Sequence, residues 1–218
     1  AADDPSQQAL CADDLLLPPA DVILCDSPPP EDATISLVAA PAETHVELIV
    51  VDSHVQDVST LLSQLAEQAQ QRQFDILRIE ANQDGVAAIA NAVAGHQYAA
   101  IHILTHATDG SVQLGDQWLR SDDLPELAVD LARWGDGLTA DGDILFYGCN
   151  LAQNSDGQAL LHSLAELTQA DVAASTDLTG HSSFGGDWNL EFTTGVVTTT
   201  AAIDPIAQHA WQGLLATA

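Results

Sequence analysis

Cys149 and His106 are a thiol and an imidazole, the residue types from which a cysteine nucleophile and its base are built. Thiolate is the reactive form of cysteine, and a neighbouring imidazole can take the thiol proton. Each residue follows a short apolar run: Tyr98–Leu104 leads into Thr105-His106, and Asp143–Tyr147 leads into Gly148-Cys149. Runs of this length and composition read as buried strands. Two strands that neighbour each other in a sheet would bring the thiol and the imidazole to one edge. The chain has three cysteines. Cys11 and Cys25 lie in a polar N-terminal stretch and can pair with each other, which leaves Cys149 as a leftover thiol. A free cysteine also serves simply as a small buried hydrophobe.

The elements that must position this pair are legible along the chain. Val46–Val51 is a β-branched apolar run of strand type. From Asp57 to about Gln70, Val58, Leu61, Leu62, Leu65 and Ala66 recur at helical spacing. Phe74–Ile79 reads as a strand, and Asp84–Ala94 as a helix closed by Gly95. After the Tyr98–Leu104 strand, Val112–Leu119 reads as a small hairpin around Gly115-Asp116. Ser121 is expected to start a helix to about Trp134, and Ser155 one to about Thr168, with Leu160, Leu161, Leu164 and Leu167 inward. Asp171–Ser175 is a further strand, Trp188–Phe192 and Val196–Thr200 read as a terminal strand pair, and a short helix passes through Ile206 and Trp211. Strands alternating with helices predict a three-layer α/β/α sandwich with a mainly parallel central sheet. Residues 1–44, rich in Ala, Asp and Pro, are expected to be an extended arm or leader, 45–200 the domain, and 201–218 a C-terminal helix and tail.

In such sheets function collects at the carboxyl ends of the strands. Asp52 and Asp177 also fall there and could line a cleft, where a carboxylate would select a basic substrate residue; the plainer role is strand-end solvation or capping. His102 and His106 are four apart, but on a strand that spacing separates them by roughly 13 Å, which argues against a zinc pair and for His102 as a packed strand residue. Asp84-Gly85, Asp109-Gly110, Asp141-Gly142-Asp143 and Asp156-Gly157 complete no calcium loop and read as turns and helix starts, with adventitious calcium on so acidic a surface the one qualification. Trp188 and Trp211 read as core or interface anchors.

Ile101–His106 resembles the hydrophobic block ending in histidine of the caspase-like cysteine peptidases, which include caspases, gingipains and separases; Ile144–Cys149 resembles their second block, which ends in the nucleophile. The stretch from Val46 to about Thr194 further resembles an uncharacterised bacterial domain family found near the N-terminus of very large secreted or surface proteins with adhesin-like repeats. The matching pieces are Glu47–Ser53, the His106 block, Asp141–Asn150, Ala173–Gly180 and Gly185–Glu191. The resemblance implies a caspase-like fold with Cys149 as nucleophile and His106 as base. The backbone N–H groups of Ala107 and Cys149 would form the oxyanion hole. It implies no metal and no organic cofactor. One residue departs from the pattern: Ala107 stands where glycine usually follows the histidine, and it would be strained if that position required positive φ.

Composition narrows the partners. There are 32 acidic residues against four basic ones, for a formal net charge of -28. Such a surface repels nucleic acid and anionic membrane. No apolar run approaches the roughly 20 residues of a membrane span. The sequence contains no methionine, which is expected of a processed product or an excerpt. Two function classes follow. One is a cysteine endopeptidase acting on a polypeptide, its own parent chain included. The other is a non-catalytic module of an extracellular or cell-surface assembly, engaging copies of itself or surface-protein partners.

Overall fold

The computed structural model describes residues 45–68 and 72–216. In chain order the elements are β1 (Val46–Asp52), α1 (Val58–Gln68), β2 (Gln73–Ile79), α2 (Gly85–Ala92), β3 (Tyr98–Leu104), β4 (Ala107–Thr108), β5 (Ser111–Leu114), β6 (Gln117–Leu119), α3 (Leu124–Asp136), β7 (Leu138–Tyr147), α4 (Ser155–Thr168), β8 (Asp171–Ala174), β9 (Phe192–Thr193) and α5 (Pro205–Ala210). The uninterrupted apolar runs became the strands that are covered on both faces, as an all-parallel core requires.

The central sheet has the order β2-β1-β3-β7-β8-β9. Its first five strands run parallel, and β9 closes one edge antiparallel to β8. Alternate residues of each strand face opposite layers. Leu48, Val50, Ile101, Ile103, Ile144 and Phe146 share one apolar cluster with Val86, Ile89, Leu131, Trp134, Leu160 and Leu164 of α2, α3 and α4. Ile49, Val51, Leu145 and Tyr147 share the other with Leu61 and Leu65 of α1 and Ala207 of α5. The result is the three-layer α/β/α sandwich that the strand–helix alternation predicts. A full burial of each such aliphatic side chain stabilises the fold by about 1.5–3 kcal/mol. No helix among the described residues is long and apolar enough to cross a membrane.

One buried polar network threads the second layer. The Arg72 guanidinium donates to both carboxylate oxygens of Glu47 and to the carbonyls of Thr200 and Ala201. His102 Nε2 lies 2.7 Å from Glu47 Oε2, and its Nδ1 lies 3.2 Å from the Tyr147 hydroxyl. That hydroxyl accepts from Ala202 N–H at 3.0 Å. Every donor finds an acceptor if His102 is neutral and carries its proton on Nε2. Burial lowers the His102 pKa against the opposing pull of Glu47. Burial raises Glu47, but hydrogen bonds from His102 and Arg72 outweigh it and bring that pKa below its ordinary value. His102 is thus the hydrogen-bonded strand residue its spacing suggested, with both ring nitrogens engaged.

Several expectations need correcting. Trp188–Phe192 and Val196–Thr200 do not form a strand pair; only β9 is a strand there, and it pairs with β8. Asp143 draws the second segment in by another route, accepting from the amides of Thr198 and Thr199. β7 begins at Leu138, so Asp141-Gly142-Asp143 lies within a strand and is not a turn. The α4 cap is Asn154, whose side chain accepts from Asp156 N–H, one residue before the expected Ser155. Residues 201–216 are no separate tail: Ala202, Ile203, Ala207, Trp211 and Leu215 are buried in the second cluster. The predicted arm over residues 1–44, with Cys11 and Cys25, lies outside the described residues.

Candidate active site

β3 and β7 are neighbours, and their register pairs His102 with Leu145 and Leu104 with Tyr147. Both strands end at this pair, so the His106 and Cys149 that follow them stand at the same carboxyl edge of the sheet. Thr105 N–H donates to the Tyr147 carbonyl at 3.1 Å, so the two chains leave the sheet side by side. The turn after β7 is sharp: Asn150 has φ 58°, a left-handed conformation that asparagine tolerates better than most residues. Its N–H donates to the Asp177 carbonyl at 2.6 Å, tying the cysteine turn to the loop after β8.

His106 is held by the loop after β1. Its Nε2 lies 3.0 Å from the His54 carbonyl, an acceptor only, so Nε2 carries hydrogen. Its Nδ1 is buried and has no hydrogen-bond partner among the described residues. In the neutral ring that atom bears the free lone pair. His54 is itself fixed by Asp52: one carboxylate oxygen accepts from His54 N–H at 2.9 Å and lies 2.7 Å from His54 Nδ1. The other oxygen accepts from Gly115 N–H at 2.6 Å. Asp52 is wholly buried with both oxygens engaged, so it does not line a cleft; of the two expected roles it takes the plainer one, capping backbone N–H groups at the strand end. It orients the turn that orients His106.

Cys149 is also wholly buried. Its Sγ accepts from Thr179 N–H at 3.2 Å and lies 3.5 Å from the Thr179 carbonyl. Sγ and His106 make no hydrogen bond to each other: the geometry brings the two residues to one edge without closing the dyad. Burial pushes the Cys149 thiol up, and Asp177 adds to this; backbone N–H groups at Thr179 and near Leu215 pull the other way.

Of the two expected oxyanion donors, Cys149 N–H donates to the Leu215 carbonyl at 3.2 Å. Ala107 forms a parallel bridge with Ala216. Ala107 does not have positive φ, so alanine carries no strain there. A Cβ built on Gly148 would lie 2.6 Å from the Ala107 Cβ, so the alanine at 107 fits against a glycine at 148.

Asp177 is exposed beside the site, with its pKa raised by partial desolvation and by Glu191 and Asp187. One oxygen from each of these three carboxylates lies within 4.8 Å of the others, the group best placed among the described residues to meet a cation. Trp188 and Trp211 are buried anchors, their rings 5.6 Å apart, and Trp211 Nε1 donates to the Gln56 carbonyl.

Sequence reasoning missed His54, Thr179 and Leu215. All three act on the site through main-chain atoms, which leave no mark on side-chain identity. Leu215 sits in a short apolar stretch with no strand periodicity.

No curated protein matches the chain. A family model does, over residues 48–215, a span that takes in Asp52, His106, Cys149, Asp177, Thr179 and Leu215. By that match the chain belongs to the family described as Domain of unknown function (DUF4347).

Proposed function

We propose that this domain is a caspase-like cysteine endopeptidase that works through Cys149 and His106 and acts on a polypeptide, its parent chain included. The observation that carries this reading is the state of His106. Its Nε2–H is fixed on a main-chain carbonyl, while its buried Nδ1 is left without a partner among the described residues, at the sheet edge it shares with the cysteine that follows the adjacent strand. An unsatisfied buried polar atom costs about 1–3 kcal/mol, and a catalytic role is one explanation for such a group. In this reading Nδ1 takes the Cys149 proton once the thiol turns from Thr179 towards the imidazole. Cys149 N–H and the backbone at Ala107 receive the oxyanion. The acidic surface supports a location outside the cell or at its surface and argues against nucleic acid as a partner.

The test is proteolysis of the full chain and of an unfolded protein substrate, with and without Cys149→Ala and His106→Ala. Cleavage is expected to vanish in both variants. Cleavage that persists in either, or none by the unmutated chain, overturns the peptidase reading.

A second reading keeps the fold and drops the chemistry. It is favoured by the wholly buried thiol, bonded to Thr179 main chain and not to His106. Here Cys149 is a packing residue of a non-catalytic surface or assembly module, and its substitution changes stability alone.

A further inference from the structure

Segment 213–216 lies along the candidate site, held by two isolated bridges with a bend at Leu215 between them. His181 N–H donates to the Gly213 carbonyl at 2.9 Å, and Leu215 N–H donates to the Thr179 carbonyl at 2.9 Å. These two bonds frame an antiparallel bridge between Gly180 and Leu214. Beyond it the Leu215 carbonyl turns onto Cys149 N–H, and Ala216 runs parallel beside Ala107. The approach is close enough to require glycine: a Cβ on Gly180, at φ 143°, would lie 2.3 Å from the Gly213 carbonyl oxygen. The Leu215 side chain is wholly buried, in the apolar cluster that also holds Val55, Cys149, Trp188 and Trp211.

The parts are those of peptide recognition by main-chain pairing: main-chain bonds supply affinity and a side-chain pocket supplies selectivity. The carbonyl held by the nucleophile's own N–H is the one that the nucleophile attacks. Resting on the peptidase reading, we propose that segment 213–216 is the substrate segment of this site, that Leu215–Ala216 is the bond presented to Cys149, and that the site takes a chain with an aliphatic residue at the position of Leu215.

The chemistry balances with water as co-reactant. The Cys149 proton passes to His106 Nδ1, and sulfur forms a bond to the Leu215 carbonyl carbon. The Leu215–Ala216 C–N bond breaks, and the His106 proton goes to the departing Ala216 nitrogen. Water then adds to the Leu215 thioester, giving the Leu215 carboxylate and restoring the Cys149 thiol.

The experiment is incubation of the full 218-residue chain under reducing conditions, read by intact mass and peptide mapping. The unmutated chain is expected to lose residues 216–218 and end at Leu215. Cys149→Ala and His106→Ala are expected to keep those residues, with circular dichroism confirming that each is folded. Leu215→Asp, which puts a charge into the apolar pocket, is expected to abolish the cut. Loss of 216–218 that continues in Cys149→Ala overturns the proposal. A chain intact at Leu215 that cuts itself or an unfolded protein elsewhere, in a Cys149-dependent way, overturns this assignment and leaves the peptidase reading standing. No Cys149-dependent cut anywhere overturns both.

Discussion

The Cβ of Ala107 occupies the space that a Cβ on Gly148 would need, the two positions lying 2.6 Å apart. Gly148→Ala is therefore expected to overpack the β3–β7 edge and cost about 1–3 kcal/mol, seen as a lower Tm. Ala107→Gly removes the obstacle. The double variant A107G/G148A should recover most of the loss, since contacting residues couple. A double variant that melts no higher than G148A would place the cost elsewhere.

Asp52 holds two loops through buried bonds to His54 and Gly115. Asp52→Ala strands the Gly115 N–H and should destabilise the chain by about 1–3 kcal/mol for that donor alone, measured by denaturant titration. It should also depress turnover more than it changes KM, because the His54 turn loses its hold on His106. On the peptidase reading, any charge selection among substrates should be the same in the variant. A shift in it would return Asp52 to the cleft.

Stability should fall with acid in two stages. The His102 pKa is lowered from 6.5 in the fold, so below that pH the unfolded chain takes up the proton first. Its contribution is complete above about 6.5 and lost as pH drops. The Glu47 pKa is lowered from 4.5, so its contribution is present above that value and lost below it. Asp177 has the opposite sign: its pKa is raised from 3.8, so its cost at neutral pH is relieved by acid. Its exposure makes that effect small. Thermal melts from pH 7 to 4, at high salt to screen the general repulsion of a -28 chain, should show the first decline above pH 5. A flat profile there would contradict the neutral, buried His102.

Tyr147→Phe should leave two buried groups unpaired, Ala202 N–H and His102 Nδ1. The expected cost is about 1–3 kcal/mol for each group left unsatisfied. Hydrogen exchange at Ala202 should speed up in the same variant. Unchanged exchange would mean that Arg72 alone secures residues 200–202.

The parts of this fold that sequence made legible are those whose burial is nearly complete. β1, β3 and the Ile144–Tyr147 end of β7 are mostly apolar because helices cover both faces, and α4 shows its leucines because one stripe is buried. Residues 188–200 misled because the β-branched run Val196–Thr200 has the composition of a strand, while Asp143 and Asp171 capture its backbone instead. The site divides the same way. His106 and Cys149 could be found because they follow buried strands, and the pairing of β3 with β7 brings them to one sheet edge. What approaches them could not: Thr179 and segment 213–216 act through amides and carbonyls, and their pairing spans a sequence gap that no periodicity reports. Asp52 shows the reverse, a side chain correctly placed at a strand end but facing inward.

His106 takes its orientation from a carbonyl, a group that every residue at position 54 would supply. Mutational tolerance around the imidazole should therefore be uneven. Position 54 can change identity freely provided its backbone stays in place, at the loss of one contact to Asp52. Position 52, which fixes that backbone, cannot. In a saturation library the residue touching the histidine would look dispensable, and the one a step further away would look essential.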